Sequence, residues 1–231
     1  MSLKGTAFVA IWQDLVPQAK QDFYEWHNRQ HVPERLSIPG FLRARRFIAR
    51  QGTPEFFTLY ELNRVETAAG KDYLDRLNNP TEWTRRVMPH FRNMARSANQ
   101  LIYSGGTGEG GYLATLRFTY PGEEAFAQLG SEILPAVTEL PGIVGAHLGL
   151  ANDTASAIAT FEKTFRTSDD VTPPCVVMIE GSSVDHVHAA IDQLTNHLSD
   201  ADIAIYQVEH SASNGDHPVG DRKSTLEHAR A

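Results

Sequence analysis

Trp26-His27-Asn28-Arg29-Gln30-His31-Val32-Pro33-Glu34 gathers two imidazoles, an indole and two charged groups into one short stretch. On a helix, His27 and His31 share a face because they stand four residues apart, and Tyr24 and Asn28 do the same on a neighbouring stripe. Two imidazoles one turn apart could chelate a metal, or one could act as general base while the other orients a substrate. Asn28 stands where a metalloprotease helix would carry its catalytic Glu, and no third ligand is identifiable, so no metal is expected. Proton transfer by His31, helped by His27, is the leading reading; a purely structural pair is the plain alternative.

Other residues could hold what the histidines act on. Trp26, Trp83 and Phe91 could line an apolar pocket for a planar ligand, although core packing is the default for aromatics. Arg43, Arg45 and Arg46 follow the Pro39-Gly40 turn, and strand alternation puts Arg43 and Arg45 on one side and Arg46 on the other. An arginine facing an enclosed space could clamp a carboxylate, while one on the opposite side would pair with helix acids. Arg86 and His90, four apart, could cover the mouth of such a space. The expected site is therefore His31 and His27 as catalytic groups, with Trp26, Arg43, Arg45, Trp83 and His90 binding substrate.

The elements that must position these residues repeat. Val32-Pro33 ahead of Ile38-Pro39-Gly40-Phe41 has a counterpart in Leu134-Pro135 ahead of Leu140-Pro141-Gly142-Ile143. In that register Trp26, His27 and His31 fall opposite Gln128, Leu129 and Ile133. The first half reads as a strand at 7–12, a helix over 17–36, a hairpin of 41–49 with 56–62, and a helix at 66–78. A further amphipathic helix spans 82–96, and a strand closes the half at 100–103. The second half repeats the order with a strand at 112–119, a helix at 123–138, paired strands at 143–151 and 174–180, a helix at 184–198 and a strand at 203–209. Its connection between paired strands, 152–173, is longer. Tyr60-Glu61 and Ile179-Glu180 support the alignment.

The expected division is 1–104 as the unit with the site, 105–111 as a glycine-rich linker, 112–210 as a degenerate unit, and 211–231 as a polar tail. A βαββαβ unit leaves one sheet face uncovered. Two units pressing their sheets together would enclose a cavity or pack as a barrel-like core. The linker Gly105-Gly106-Thr107-Gly108-Glu109-Gly110-Gly111 is followed by a strand and no Gly-Lys-Ser/Thr, so it reads as a flexible connector rather than a phosphate loop.

Bulk properties exclude several classes. No apolar run approaches the roughly 20 residues that span a bilayer, no secretory signal precedes the first strand, and a single cysteine, Cys175, excludes an internal disulfide. A cytoplasmic location is expected. The net charge of −7 conceals an asymmetry, with +5 over residues 1–104 and −12 over the remainder. An acidic chain without a basic aromatic motif is not a nucleic-acid binder, whereas a basic first half could attract a small anion.

W-H-x-x-x-H-x-P-E, then I-P-G-F and a run of arginines, together with Asn79-Pro80-Thr81-Glu82-Trp83 and Met88-Pro89-His90-Phe91, resembles the dimeric α+β barrel superfamily, especially EthD-like proteins. The resemblance covers residues 6–104; 112–209 shares only element order and the Pro-Gly turn. It implies an α+β fold of two tandem ferredoxin-like βαββαβ units forming an intramolecular dimeric α+β barrel. Of the EthD-like pattern, His31 and Trp26 carry over. Relatives in this superfamily include isomerases, cyclases, cofactor-free monooxygenases and haem enzymes. The expected function is a cofactor-independent enzyme of small-molecule metabolism, acting on an aromatic or lactone-type compound by isomerase-, lyase- or cyclase-like chemistry. The alternatives are a haem-dependent or cofactor-free monooxygenase of the same fold, and a non-catalytic binding or accessory protein. The expected partner is a small, anionic substrate, with no nucleic acid and no membrane; a homodimer is the alternative to a monomer.

Overall fold

The computed structural model describes residues 3–165 and 171–215. In chain order the first half contains β1 (Ala7–Leu15), α1 (Lys20–Trp26), α2 (Val32–Leu36), β2 (Phe41–Gln51), β3 (Phe56–Leu62), α3 (Lys71–Asn78), α4 (Glu82–Val87) and β4 (Phe91–Gly106). The second contains β5 (Tyr112–Phe118), α5 (Glu123–Gln128), α6 (Leu134–Thr138), β6 (Ile143–Ala151), α7 (Asp153–Ala157), β7 (Cys175–Gly181), α8 (Val184–Thr195) and β8 (Asp202–Ser213). All eight strand pairs are antiparallel, and the strands close a barrel in the order β1-β3-β2-β8-β5-β7-β6-β4. The halves join edge to edge, β2 with β8 and β4 with β6. This is the dimeric α+β barrel fold, built within one chain from two ferredoxin-like units.

Alternation along the strands sorts side chains between two environments. Phe8, Trp12, Phe47, Phe57, Met178 and Tyr206 point inward and fill the barrel, as expected when only eight strands close. The inside is therefore a packed core. The outer face of each half-sheet carries its own helices, and the second half seals that layer with Leu116, Leu129, Leu134, Val177, Ile179 and Val187.

The helix expected over 17–36 forms, with an insertion. Between α1 and α2, residues His27–His31 form a π turn in which the Val32 N–H donates to the His27 carbonyl. Leu129–Ile133 repeats it, with Leu134 N–H donating to Leu129. Each π turn lies just ahead of a proline, Pro33 or Pro135, which has no N–H to give and whose ring would strike the carbonyl four residues back. Widening the turn relieves both problems.

The helix expected over 82–96 is shorter. It ends at Val87, a single turn covers Met88–His90, and β4 begins at Phe91, pairing with β1 from Leu15↔Phe91 to Ala7↔Gln100. Sheet hydrogen bonding overrides the amphipathic pattern, and Asn93 takes a positive φ of 50° near the register shift. The consequence is that Arg96 lies on the sheet. At the other end β8 continues to Ser213, past the expected start of the polar tail, and residues 216–231 of that tail lie outside the described residues. No helix among the described residues is long and apolar enough to cross a membrane.

Candidate active site

A cavity of about 40 Å³ lies between the outer sheet face of the first half and its helices. Trp26, His27 and His31 line its helix side. Its floor is Ile11 and Gln13 of β1, Thr58 and Tyr60 of β3, and Arg96 of β4. Its cover comes from the other half: Ala155, Ile158, Thr160 and Glu162 of the β6–β7 connection. Strands and helices of one unit and a strap from its degenerate copy thus share one space.

The strap is bonded along its length. Asn152 N–H donates to the Ala98 carbonyl at 2.8 Å, and Ala98 N–H donates to Ser156 Oγ at 3.0 Å. Phe161 N–H donates to Asn78 Oδ1 at 3.0 Å. Arg35 Nη2 donates to Glu162 Oε1 at 3.2 Å, with both side chains buried. Such a pair holds the strap over the cavity, and removing one partner would strand the other charge.

The π turn fixes the relation of the imidazoles. The His27 and His31 rings lie 5.6 Å apart, and His31 stacks on Trp26 at 4.2 Å between centroids. Trp26 Nε1 donates to Thr84 Oγ1 at 3.1 Å, which ties α1 to α4 and holds the indole. Arg46, from β2, donates to Asn28 Oδ1 at 2.7 Å and lies 3.1 Å from His27 Nδ1. A guanidinium can only donate, so Nδ1 accepts and Nε2 carries the ring proton. Burial, then the neighbouring Arg46 charge, push the His27 pKa well below its usual range. His27 is therefore a neutral Nε2–H donor, unsuited to accepting a proton. Burial likewise raises the Tyr60 pKa, keeping it a neutral phenol.

The cavity does not fit a haem. A macrocycle would displace both the strap and the Trp26–His31 stack. Metal-bound imidazoles usually donate their second nitrogen to a carboxylate or carbonyl, which strengthens ligation; at His27 a cation donates instead. Among the described residues, no group of three or more His, Cys, Asp or Glu could hold a metal ion.

Trp26, His27, His31 and Phe91 meet at the cavity, and the remaining sequence candidates lie elsewhere. Arg43 and Arg45 project into the end of the barrel, where their carboxylate partners belong to the protein. Arg43 Nη2 lies 2.8 Å from Glu61 Oε1 and also pairs with Glu109 of the glycine linker. Arg45 meets Glu180 through two bonds of 2.8 and 2.9 Å. The linker thus takes part in capping the barrel, and Gly110 N–H donates to Glu180 at 3.0 Å. Arg46 does sit on the opposite side, paired with Glu209 of β8 rather than with a helix acid. Trp83 is half-buried on α4, where its Nε1 donates to Asp22 at 2.8 Å; Arg86 grips the same carboxylate. His90 is half-exposed and does not line the cavity. Cys175 is buried in β7, its thiol pushed up to about 11 by burial.

Arg35, Tyr60, Arg96 and Glu162 were not among the sequence candidates. A search for polar residues at the helix-facing positions of the first strands would have found Gln13, Thr58 and Tyr60. Glu162 gives no comparable signal, because it lies in a connection far away in sequence.

No protein-family model matches this chain, and no curated protein matches it either. Solved structures do. An anthrone oxidase-like protein aligns at a TM-score of 0.59 and 11% identity, covering 94% of this chain and 97% of its own. A protein from Fusobacterium nucleatum named as a monooxygenase gives a TM-score of 0.56 at 12% identity, covering 91% and 96%. A protein named as a chlorite dismutase gives 0.51 at 10% identity, covering 90% and 96%. At such identities the likeness establishes that this chain shares the tandem α+β barrel fold of those proteins.

Proposed function

We propose that the first half is the catalytic unit of a cofactor-independent oxygenase acting on a small aromatic compound with an acidic C–H. The observation that carries this is the strap-covered cavity in which His31, stacked on Trp26, sits beside a neutral His27 and a neutral Tyr60. Of the two imidazoles, His27 is blocked as a base by Arg46, which leaves His31 to accept the proton. The C–H bond breaks, the proton goes to His31, and the electron pair spreads into the ring as an enolate. His27 Nε2–H and the Tyr60 phenol stabilise the oxygen that gains this charge. The enolate carbon then reduces O2, forming a C–O bond, and His31 returns its proton to the distal peroxide oxygen. Loss of water from that hydroperoxide leaves a ketone, so that a CH2 group and O2 become C=O and H2O.

The likeness in fold to proteins named as an oxidase and a monooxygenase supports oxygen as the second reactant over the isomerase-, lyase- or cyclase-like outcome, which shares the first proton step. The resemblance of the W-H-x-x-x-H-x-P-E stretch to EthD-like proteins, from which His31 and Trp26 carry over, supports placing the site in this unit. The test is oxygen uptake with anthrone as probe. The wild-type protein should consume one O2 per quinone formed, and His31→Ala should lose about 10²- to 10⁴-fold in rate with an unchanged circular dichroism spectrum. Full activity in that variant would overturn the assignment.

A further inference from the structure

Three neighbouring strands place Thr58, Ile11 and Arg96 side by side on the cavity floor, since Ile11 pairs with Thr58 across β1–β3 and with Arg96 across β1–β4. Thr58 and Arg96 therefore stand two strand spacings apart, about 10 Å. Tyr60 lies on the same face as Thr58, two residues along β3.

The polar atoms of this row lack adequate partners. Arg96 is only 6% exposed. Its guanidinium reaches the Ala155 carbonyl and the Tyr73 hydroxyl, both at 3.5 Å, the outer limit of a hydrogen bond. Among the described residues no carboxylate pairs with it, in contrast to Arg35, Arg43, Arg45 and Arg46, each of which has one. Thr58 Oγ1 and the Tyr60 hydroxyl are buried with no hydrogen-bond partner. Buried polar groups are ordinarily satisfied, and an unpaired buried cation is more expensive still. Three such groups facing one cavity call for a ligand that satisfies them.

The second half supplies an internal control. Matching the pairings, Thr58, Tyr60, Arg96 and Gln13 correspond to Val177, Ile179, Ile203 and Phe118. In the apolar layer that the second half packs under its helices, every one of these positions is apolar. The polar floor thus belongs to the site and not to the fold.

We infer that the cavity binds a planar aromatic carboxylate, or an equally acidic ring oxygen, with the anion on Arg96 and a second oxygen on Thr58 and Tyr60. The ring lies over Ile11, between Trp26 and Met94. Admission requires the strap carrying Ala155 to lift, because that segment bears one of the two contacts of Arg96. The inference rests on the cavity assigned above and adds the charge of the substrate.

Isothermal titration of the full chain with 3-hydroxy-2-naphthoate and with its uncharged amide tests this. The carboxylate should bind about tenfold or more tightly than the amide. Arg96→Gln should erase the difference, Thr58→Val should weaken both ligands, and Arg86→Gln on the surface should change neither. Arg96→Lys, which keeps the charge but loses the fork, should retain part of the preference and serves if Arg96→Gln fails to fold. Equal binding of acid and amide, no binding of either, or a preference that survives Arg96→Gln would overturn the inference. Arg96-dependent binding without oxygen uptake would reject the oxygenase while leaving this standing; His31-dependent oxygen uptake with an Arg96-independent preference would do the reverse.

Discussion

The two halves share a backbone and differ in what they bury. Both carry a π turn before a proline, both pair four strands in the same order, and both end a strand with a buried glutamate, Glu61 or Glu180. In the first half the π turn carries His27 and His31 over a polar sheet face; in the second it carries Leu129 and Ile133 over an apolar one. The π turn is therefore a consequence of the Val-Pro and Leu-Pro pairs, and chemistry is added to it by substitution. The second half has not become idle. Its β6–β7 connection covers the cavity of the first, so under the proposed mechanism one copy supplies the reactive groups and the other covers them.

The largest expected difference between the halves is kinetic. Against the loss of rate predicted for His31→Ala, Leu129→Ala at the position equivalent to His27 should leave turnover per folded molecule unchanged. It should destabilise the protein by about 2–5 kcal/mol, as core truncations do, measured by urea denaturation. A comparable fall in turnover with Leu129→Ala would blur the division of labour.

The barrel end, where the halves meet, comes next. Glu180 sits between Arg45 and His147, the latter 3.4 Å away. Burial alone would raise its pKa, but His147 and Arg45 outweigh it and bring the carboxyl from its ordinary 4.5 down to about 2. A depressed carboxyl stabilises the folded state above its unfolded value, and that contribution is lost as pH falls from about 4.5 through about 2. Glu180→Gln should lower stability by about 3–5 kcal/mol at neutral pH and flatten the acid limb of a plot of stability against pH. An unchanged acid limb would show that Glu180 does not join the halves electrostatically.

Breaking the strap should have a local effect. Glu162→Gln leaves Glu34, at 3.5 Å, as the one carboxylate paired with Arg35 among the described residues. The Phe161 and Lys163 amides should then exchange about tenfold faster or more, since local opening need not be global unfolding, while those of β7 stay protected. Smallest is Trp26→Phe, which removes the hydrogen bond to Thr84 at about 1 kcal/mol and should weaken the protein without removing activity.

Much of this arrangement is legible in the sequence, and the exceptions have physical causes. Strand alternation and the Pro-Gly turns reveal the duplicated fold, and the spacing of His27 and His31 marks the helix side of the site. Alternation also separates Arg46 from Arg43 and Arg45. It cannot say that the space those two face is already filled by Phe47, Phe57 and Tyr206, with Glu61 and Glu180 waiting as partners. Arg96 is hidden by an amphipathic pattern that continues the helix past Pro89, whereas pairing with β1 draws that segment into the sheet. Glu162 is hidden because its role depends on a contact between halves, 127 residues from Arg35.

The central claim is that ligand binds between the sheet and helices of the first half alone. A crystal structure of the protein soaked with 3-hydroxy-2-naphthoate tests it most directly. Density for one molecule should lie between His31 and the Thr58–Ile11–Arg96 row, with the strap displaced or refolded over it. Density inside the barrel, or beneath α5 and α6 of the second half, would contradict the account.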